Sequence, residues 1–325
     1  MSKRRRTSFV AIAVVVLCGL MAREARADET DNFTCRSRPM RDALEQLDAL
    51  MNARIRMAVA RANHRAGARC DAACLERVAV DELRDAIGSS YRPFPALIPH
   101  SRFMQSVSDL PDLDRCHLRF NETIYGARSY NRPWMYPFHR RIIFVADSIR
   151  LANRIVGLDK MNHFIREGLV HWRAVNEKGG TIASDIAREL GSPTKHLAWT
   201  EQGLKGMALT GVLAYADLAA SYSGFRFWSD LLTVGTPQSF VELDRASGRL
   251  HQIRAFTFAA YVNDGWDETI NRSKLEPRLR QEVDETIRKR GLSPGGDCRH
   301  LAALPDASLF VNPECLAAAS IESRH

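Results

Sequence analysis

GLDKMNHFIREGLVH, residues Gly157–His171, is the stretch on which the reading of this chain turns. At about 100° per residue, positions three and four apart share one face of a helix. Met161, Phe164, Ile165, Gly168, Leu169, Trp172 and Val175 then form a wide apolar stripe of the kind that packs on a core. Lys160, His163, Glu167 and His171 fall together on another arc of about 80°. Gly168 sits in mid-stripe, where glycine costs up to about 1 kcal/mol in a helix. Close approach of another helix or a ligand is the expected reason for it.

The polar arc carries three chemical readings. His163, Glu167 and His171 at i, i+4 and i+8 include pairs that can ligate a metal, although all three rise too far along the axis to meet one ion easily. The H-E-x-x-H pattern of a metalloprotease is missing. A carboxylate beside His and Lys in a sheltered groove suits general acid–base work. A solvated face laced by pairs such as His163–Glu167 is the plainest reading.

Asp159-Lys160-Met161-Asn162-His163-Phe164 resembles the D-K-x-x-H-F segment of VanZ-like bacterial envelope proteins and of some small envelope lipoproteins. The resemblance covers six residues. It implies a bacterial envelope setting, and that Asp159, Lys160 and His163 belong together; it supplies no reaction.

The segment upstream of residue 28 reads as an export signal. Lys3, Arg4, Arg5 and Arg6 are a basic start, Phe9 to Leu20 is an apolar run too short to span a bilayer comfortably, and Ala25-Arg26-Ala27 is a cleavage motif. Leu17, ahead of Cys18, is not the small residue that a lipidation signal uses. Cleavage after Ala27 is predicted, placing the protein in the periplasm or outside the cell. The segment holds six of the 46 Lys+Arg and one of the 38 acidic residues, so 40 basic and 37 acidic residues remain and the formal charge falls from +8 to +3. A basic stripe for nucleic acid is not indicated, and no second stretch is apolar enough to remain in a membrane. The expected partner is an envelope polymer or a small molecule.

Six cysteines follow the signal: Cys35, Cys70, Cys74, Cys116, Cys298 and Cys315. An even number in an exported chain predicts disulfides. Local pairing puts Cys298 with Cys315. Cys70 and Cys74 lie a helical turn apart and are expected to bond to other partners.

The fold class predicted is mainly α: one helical domain, residues 28–325, with a small β-hairpin and disulfide staples. Its parts are an N-terminal helical and loop part (28–135), a core (136–290) and a clipped tail (291–325). Helices are read over Arg41–Ala66, Cys74–Ile87, Pro137–Val156, Ser184–Leu190, Leu213–Leu232 and Arg278–Arg290 from apolar periodicity and glycine stops. Ser89–Pro111, with four prolines, reads as irregular. Arg119–Met135 reads as an aromatic and polar loop. Asp147 is expected to be buried and paired with an arginine or Lys160. Ser239–Phe258 alternates across Arg245-Ala246-Ser247-Gly248 and reads as the hairpin. W-D-E-x-x-N (Trp266–Asn271) is placed on a helix that either adds a carboxylate to the site or ties the hairpin down.

In Leu213–Leu232, Asp217 lies among Ala214, Ala216, Ala219, Ala220 and Ser221, which allow tight packing. Asp217 is expected to face the polar arc near His163 or Lys160. The candidate catalytic residues are therefore Glu167, His163, Lys160 and Asp217. The leading expectation is an exported hydrolase acting on a cell-wall glycan. Glu167 would be its general acid, Asp217 or Glu177 the second carboxylate, and Tyr222, Trp228, Trp172 and Arg226 the substrate-binding residues. The alternatives are a metal-dependent hydrolase using His163, Glu167, His171 and Asp217, and a non-enzymatic periplasmic binding or structural protein. No cofactor is predicted, and a metal only under the second reading.

Overall fold

The computed structural model describes residues 28–66, 70–88, 101–126, 144–191, 202, 207, 210–233, 238–244 and 246–322. The predicted export signal, most of the predicted loop after residue 126 and the first residues of the predicted 137–156 helix lie outside these. The protein is mainly helical, with short strands in two-stranded sheets. Among the described residues, no helix is long and apolar enough to cross a membrane.

Leu44–Ala66 and Ala72–Ile87 pack against each other through Leu47, Met51, Ile55, Leu75, Ala79 and Leu83. Asp71 starts the second of these by accepting from the Cys74 amide at 2.8 Å. The central helix runs through three segments: Leu158–Asn162, a π segment His163–Glu167, and Gly168–Asn176. The small-residue helix, Tyr215–Leu232, lies along it. The two cross at a glycine pair. A Cβ on Gly168 would sit 2.4 Å from the Gly224 carbonyl carbon, and one on Gly224 would sit 2.0 Å from the Phe164 oxygen. The approach expected at Gly168 is thus made by a helix. Beside it Phe164 is ringed by Phe227, Trp266, Phe258 and Tyr261 at centroid distances of 5.0 to 5.7 Å.

The hairpin of Val241–Asp244 and Arg249–Gln252 forms as expected, turning at Gly248 with φ 63°. Four other expectations need correction. Residues 144–157 form strands Phe144–Ala146, Ser148–Leu151 and Arg154–Gly157 in place of the predicted helix. Ala152 and Asn153, both at positive φ, make the two-residue turn that suits a tight hairpin, and Ile149, Leu151, Ile155 and Val156 go into the core. Asp147 is only half-buried there, and its ion-pair partner among the described residues is His117, whose Nδ1 lies 2.7 Å away, in place of an arginine or Lys160. Residues 102–108 form a helix capped by Ser101 within the stretch read as irregular; its proline-rich residues 89–100 lie outside the description. The Thr257–Asn271 region has only 3₁₀ turns, Phe258–Ala260 and Asp264–Trp266.

The disulfides are Cys35–Cys116, Cys70–Cys74 and Cys298–Cys315. The last is the one expected. Cys70–Cys74 was not: Cys70 precedes the helix cap, so the chain bends back and brings the two Cα atoms to 5.3 Å.

The glycine crossing gives a stability prediction. Gly224→Ala drives a methyl into the Phe164 carbonyl, a backbone atom that cannot swing away, and overpacking of that kind costs about 1–3 kcal/mol or more. Urea denaturation of Gly224→Ala is expected to show a loss at the top of that range. Gly248→Ala, whose Cβ would meet open space, is expected to lose only about 1 kcal/mol from its positive φ.

Candidate functional site

The central helix enters from strand Arg154–Gly157, with Gly157 at its N-cap. Gly157 is required by crowding: a Cβ there would stand 2.1 Å from both Asp159 Oδ1 and Thr30 Oγ1. Behind it Asp159 and Lys160 turn inward. Lys160 is 0 % exposed. Its Nζ lies 2.6 Å from Asp159 Oδ2, 2.6 Å from Asp217 Oδ1 and 2.6 Å from Glu268 Oε1. Thr30 Oγ1 lies 3.4 Å from the same nitrogen and donates to Asp159 Oδ1 at 2.7 Å. The side chains of all three carboxylates are buried.

Each carboxylate comes from a different part of the chain. Asp159 is on the central helix, and Asp217 is in the first turn of the small-residue helix. Glu268 sits in the loop after Trp266, which holds its shape through flanking polar groups. Asp267 accepts from the Arg36 guanidinium and from Thr269, and Asn271 bridges to the Gly265 and Phe310 carbonyls and the Asn312 amide. Of the two roles expected for W-D-E-x-x-N, the loop takes the first, adding a carboxylate; its polar groups tie down the tail at Phe310 and Asn312 and not the hairpin. Glu29, on strand Asp28–Thr30, is also buried and accepts from Thr210 Oγ1 at 2.8 Å.

His163 lies at the rim. Its Nε2 is 3.3 Å from Asp217 Oδ2, its Nδ1 is 3.4 Å from Ser221 Oγ, and its side chain is 15 % exposed, the most open of the group. Asp217 thus stands between Lys160 and His163.

The second half of the polar arc goes elsewhere. A π segment adds one residue to the helical count, which rotates everything after it by about 100° relative to the turn before. Glu167 is buried with Arg166 at 3.6 Å and is not among the carboxylates around Lys160. His171 points its Nδ1 at Asp185, 2.6 Å away, and Arg188 holds the other Asp185 oxygen. His163, Glu167 and His171 therefore do not converge, and the metal set drawn from them is corrected. Among the described residues, the carboxylates that could hold a hard cation are Asp159, Asp217 and Glu268, with one oxygen of each within 4.8 Å of the others. The Lys160 ammonium stands at that point.

The predicted substrate-binding residues are not gathered into a wall either. Trp228 is 0 % exposed and donates its Nε1–H to the Ile165 carbonyl at 2.7 Å, satisfying an oxygen of the π segment. Tyr222 is buried, stacks on Phe310 and bonds Asp306. Trp172 lies under the Arg84 guanidinium, and Arg226 is exposed. Glu177 pairs with Arg84 at 2.6 Å.

The electrostatics follow from burial. Burial pushes the Glu268 carboxyl up, and Asp159 and Asp217 push it further against the pull of Lys160, to about 8. Glu29 is raised well above its ordinary range, first by burial, then by Glu268 and Asp217. Burial alone would lower Lys160, but Asp159, Asp217 and Glu268 outweigh it and hold the ammonium protonated. Burial also raises Tyr125, whose hydroxyl reaches the Thr30 carbonyl at 3.3 Å. The cluster therefore holds Glu268 and Glu29 toward their protonated forms beside a charged lysine. Sequence spacing could not have located Glu29 or Thr30; the only sign is a polar run, D-E-T-D-N, at the start of the predicted mature chain.

Comparison of the chain with protein-family models, with curated proteins and with solved structures finds no match.

The raised carboxyls fix a pH dependence. A carboxyl whose folded value is raised stabilises fully below its unfolded value, 4.5 for Glu268, and that stability is lost as pH climbs through about 8. Melting temperature is expected to fall between pH 5 and pH 8.5. Glu268→Gln should flatten the slope and Glu242→Gln, on the hairpin, should not. An unchanged slope in Glu268→Gln would show that this carboxyl does not store the proton.

Proposed function

We propose that the chain is an exported hydrolase of the bacterial cell envelope, working by acid–base chemistry at the Lys160 cluster. The observation that carries this is the grip of three buried carboxylates, from three separate segments, on one buried lysine, with one of the three held protonated near neutral pH. Perturbed groups of this kind concentrate at sites of chemistry. The three disulfides are compatible with an extracytoplasmic location, and the basic start, apolar run and A-x-A motif support export by a cleaved leader. The envelope setting is also what the D-K-x-x-H-F resemblance implies.

In this reading Glu268 takes the part first given to Glu167. As the protonated acid it donates to a leaving group, and Asp217, backed by His163, accepts a proton from the attacking water. Lys160 stays charged and holds both carboxylates in place. Substrate enters on the His163 side. The aromatic residues chosen for a sugar are used elsewhere, so the substrate is an envelope polymer or a small molecule with an acid-labile leaving group.

A second reading has its own support. Lys160 is 0 % exposed, so the cluster also suits a polar keystone that fixes helix packing in a non-enzymatic protein.

One set of assays separates them. The purified protein is incubated with isolated cell-wall glycan and with small glycoside and ester probes. Turnover is expected, and Glu268→Gln should lower it by about 100-fold or more with its near-ultraviolet circular dichroism unchanged. If the parent turns over none of these, while Lys160→Met fails to fold, the hydrolase reading is lost and the keystone stands.

A further inference from the structure

Residues 29–32, just beyond Ala27, are buried in a way that chain ends ordinarily are not. Glu29 is 4 % exposed, Thr30 0 %, Asp31 1 % and Asn32 0 %. Asp28–Thr30 pairs in parallel with Phe144–Ala146. Thr30 bonds Asp159, and Asp31 accepts from the Thr34 and Ile124 amides. The strand carries Glu29 to the edge of the Lys160 cluster, where Glu268, Asp217 and Lys160 all act on its charge.

Positive charge is short there. Glu29, Asp159, Asp217 and Glu268 share the neighbourhood of one lysine, with His163 at the rim. Glu29 Oε1 accepts from Thr210, while Oε2 is buried without a hydrogen-bond partner among the described residues. A buried carboxylate oxygen of this kind calls for a donor.

Cleavage after Ala27 would create one. The peptide N–H of Asp28 becomes an α-ammonium, with three donors and a full charge. Its ordinary pKa is about 8, and neighbouring carboxylates favour the charged form. One strand residue advances about 3.3 Å, less than the reach of a glutamate side chain, so the Asp28 nitrogen is the nearest new donor along the chain for the Glu29 carboxylate.

We infer that the α-ammonium of Asp28, released when the leader is removed, is a cationic member of the Lys160 site and pairs with the Glu29 carboxylate. Maturation then completes the site, and the precursor carries it one charge short. That the completed site does chemistry rests on the proposed hydrolase function; the pairing rests on the placement of the strand and needs no substrate to test.

The test uses the full mature chain, freed from an N-terminal fusion so that it begins at Asp28, and the same chain with Gly-Ser ahead of Asp28. Each is made with Glu29 and with Glu29→Gln. With Glu29 present, the form beginning at Asp28 is expected to melt higher by roughly 3 °C or more, and the difference should vanish in Glu29→Gln. Equal melting of the two Glu29 forms overturns the pairing. So does a difference that persists in Glu29→Gln, which would mark simple crowding by the extension. N-terminal sequencing of protein exported from a bacterial host should read Asp28 first; any other start also overturns it. If the melting pattern holds while no probe is turned over, the hydrolase reading fails and the pairing stands.

Discussion

An ammonium group sealed from water is the constraint on which the rest of this structure depends. Lys160 is wholly buried, and a buried cation without partners would cost several kcal/mol. Its partners are drawn from the central helix, the small-residue helix and the loop after Trp266, and Thr30 of the first strand braces them. Neutralising one charge therefore requires the right topology. Any arrangement that leaves the small-residue helix or the 268 loop out of place leaves the lysine unpaired, so the cluster selects among packings that burial of apolar surface alone would rank closely.

The close fit of the two helices serves that same requirement. Asp217 reaches Lys160 because Gly168 and Gly224 let the backbones nearly touch. The π segment contains Phe164, against which Gly224 packs, and Trp228 donates to the Ile165 carbonyl within it. The tryptophan that looks from sequence like a sugar platform is thus needed by the helix that holds the site.

Much of this was legible in the sequence, and the failures have physical causes. The apolar stripe of the central helix, the glycine in it, the hairpin at Gly248 and the meeting of Asp217 with Lys160 and His163 all follow from periodicity and residue size. The arc from Lys160 to His171 was misjudged beyond His163, because the reading assumed 100° per residue and a π turn breaks that count without any marker in composition. Residues 144–157 were misread because a short apolar run of strand looks like a helix until the turn is known, and Ala152-Asn153 is a weak form of the Asn-Gly signal. Glu29 and Thr30 were invisible for a different reason. They reach the site through a parallel strand pairing across more than a hundred residues, and nothing local records such a contact.

The arrangement also bears on why a lysine, and not a bound cation, sits among these acids. Asp159, Asp217 and Glu268 would suit a hard divalent ion by ligand chemistry and spacing. Lys160 Nζ already lies 2.6 Å from an oxygen of each, so the chain supplies its own cation at that point. A single charge there compensates less than a divalent ion would. The remainder is met in part by holding a proton on Glu268. A carboxylate cage closed by a metal has little reason to keep carboxylic protons; one closed by a lysine must keep them. A carboxyl held toward its protonated form is what acid–base chemistry uses, and in this fold it is a consequence of which cation the sequence placed at residue 160.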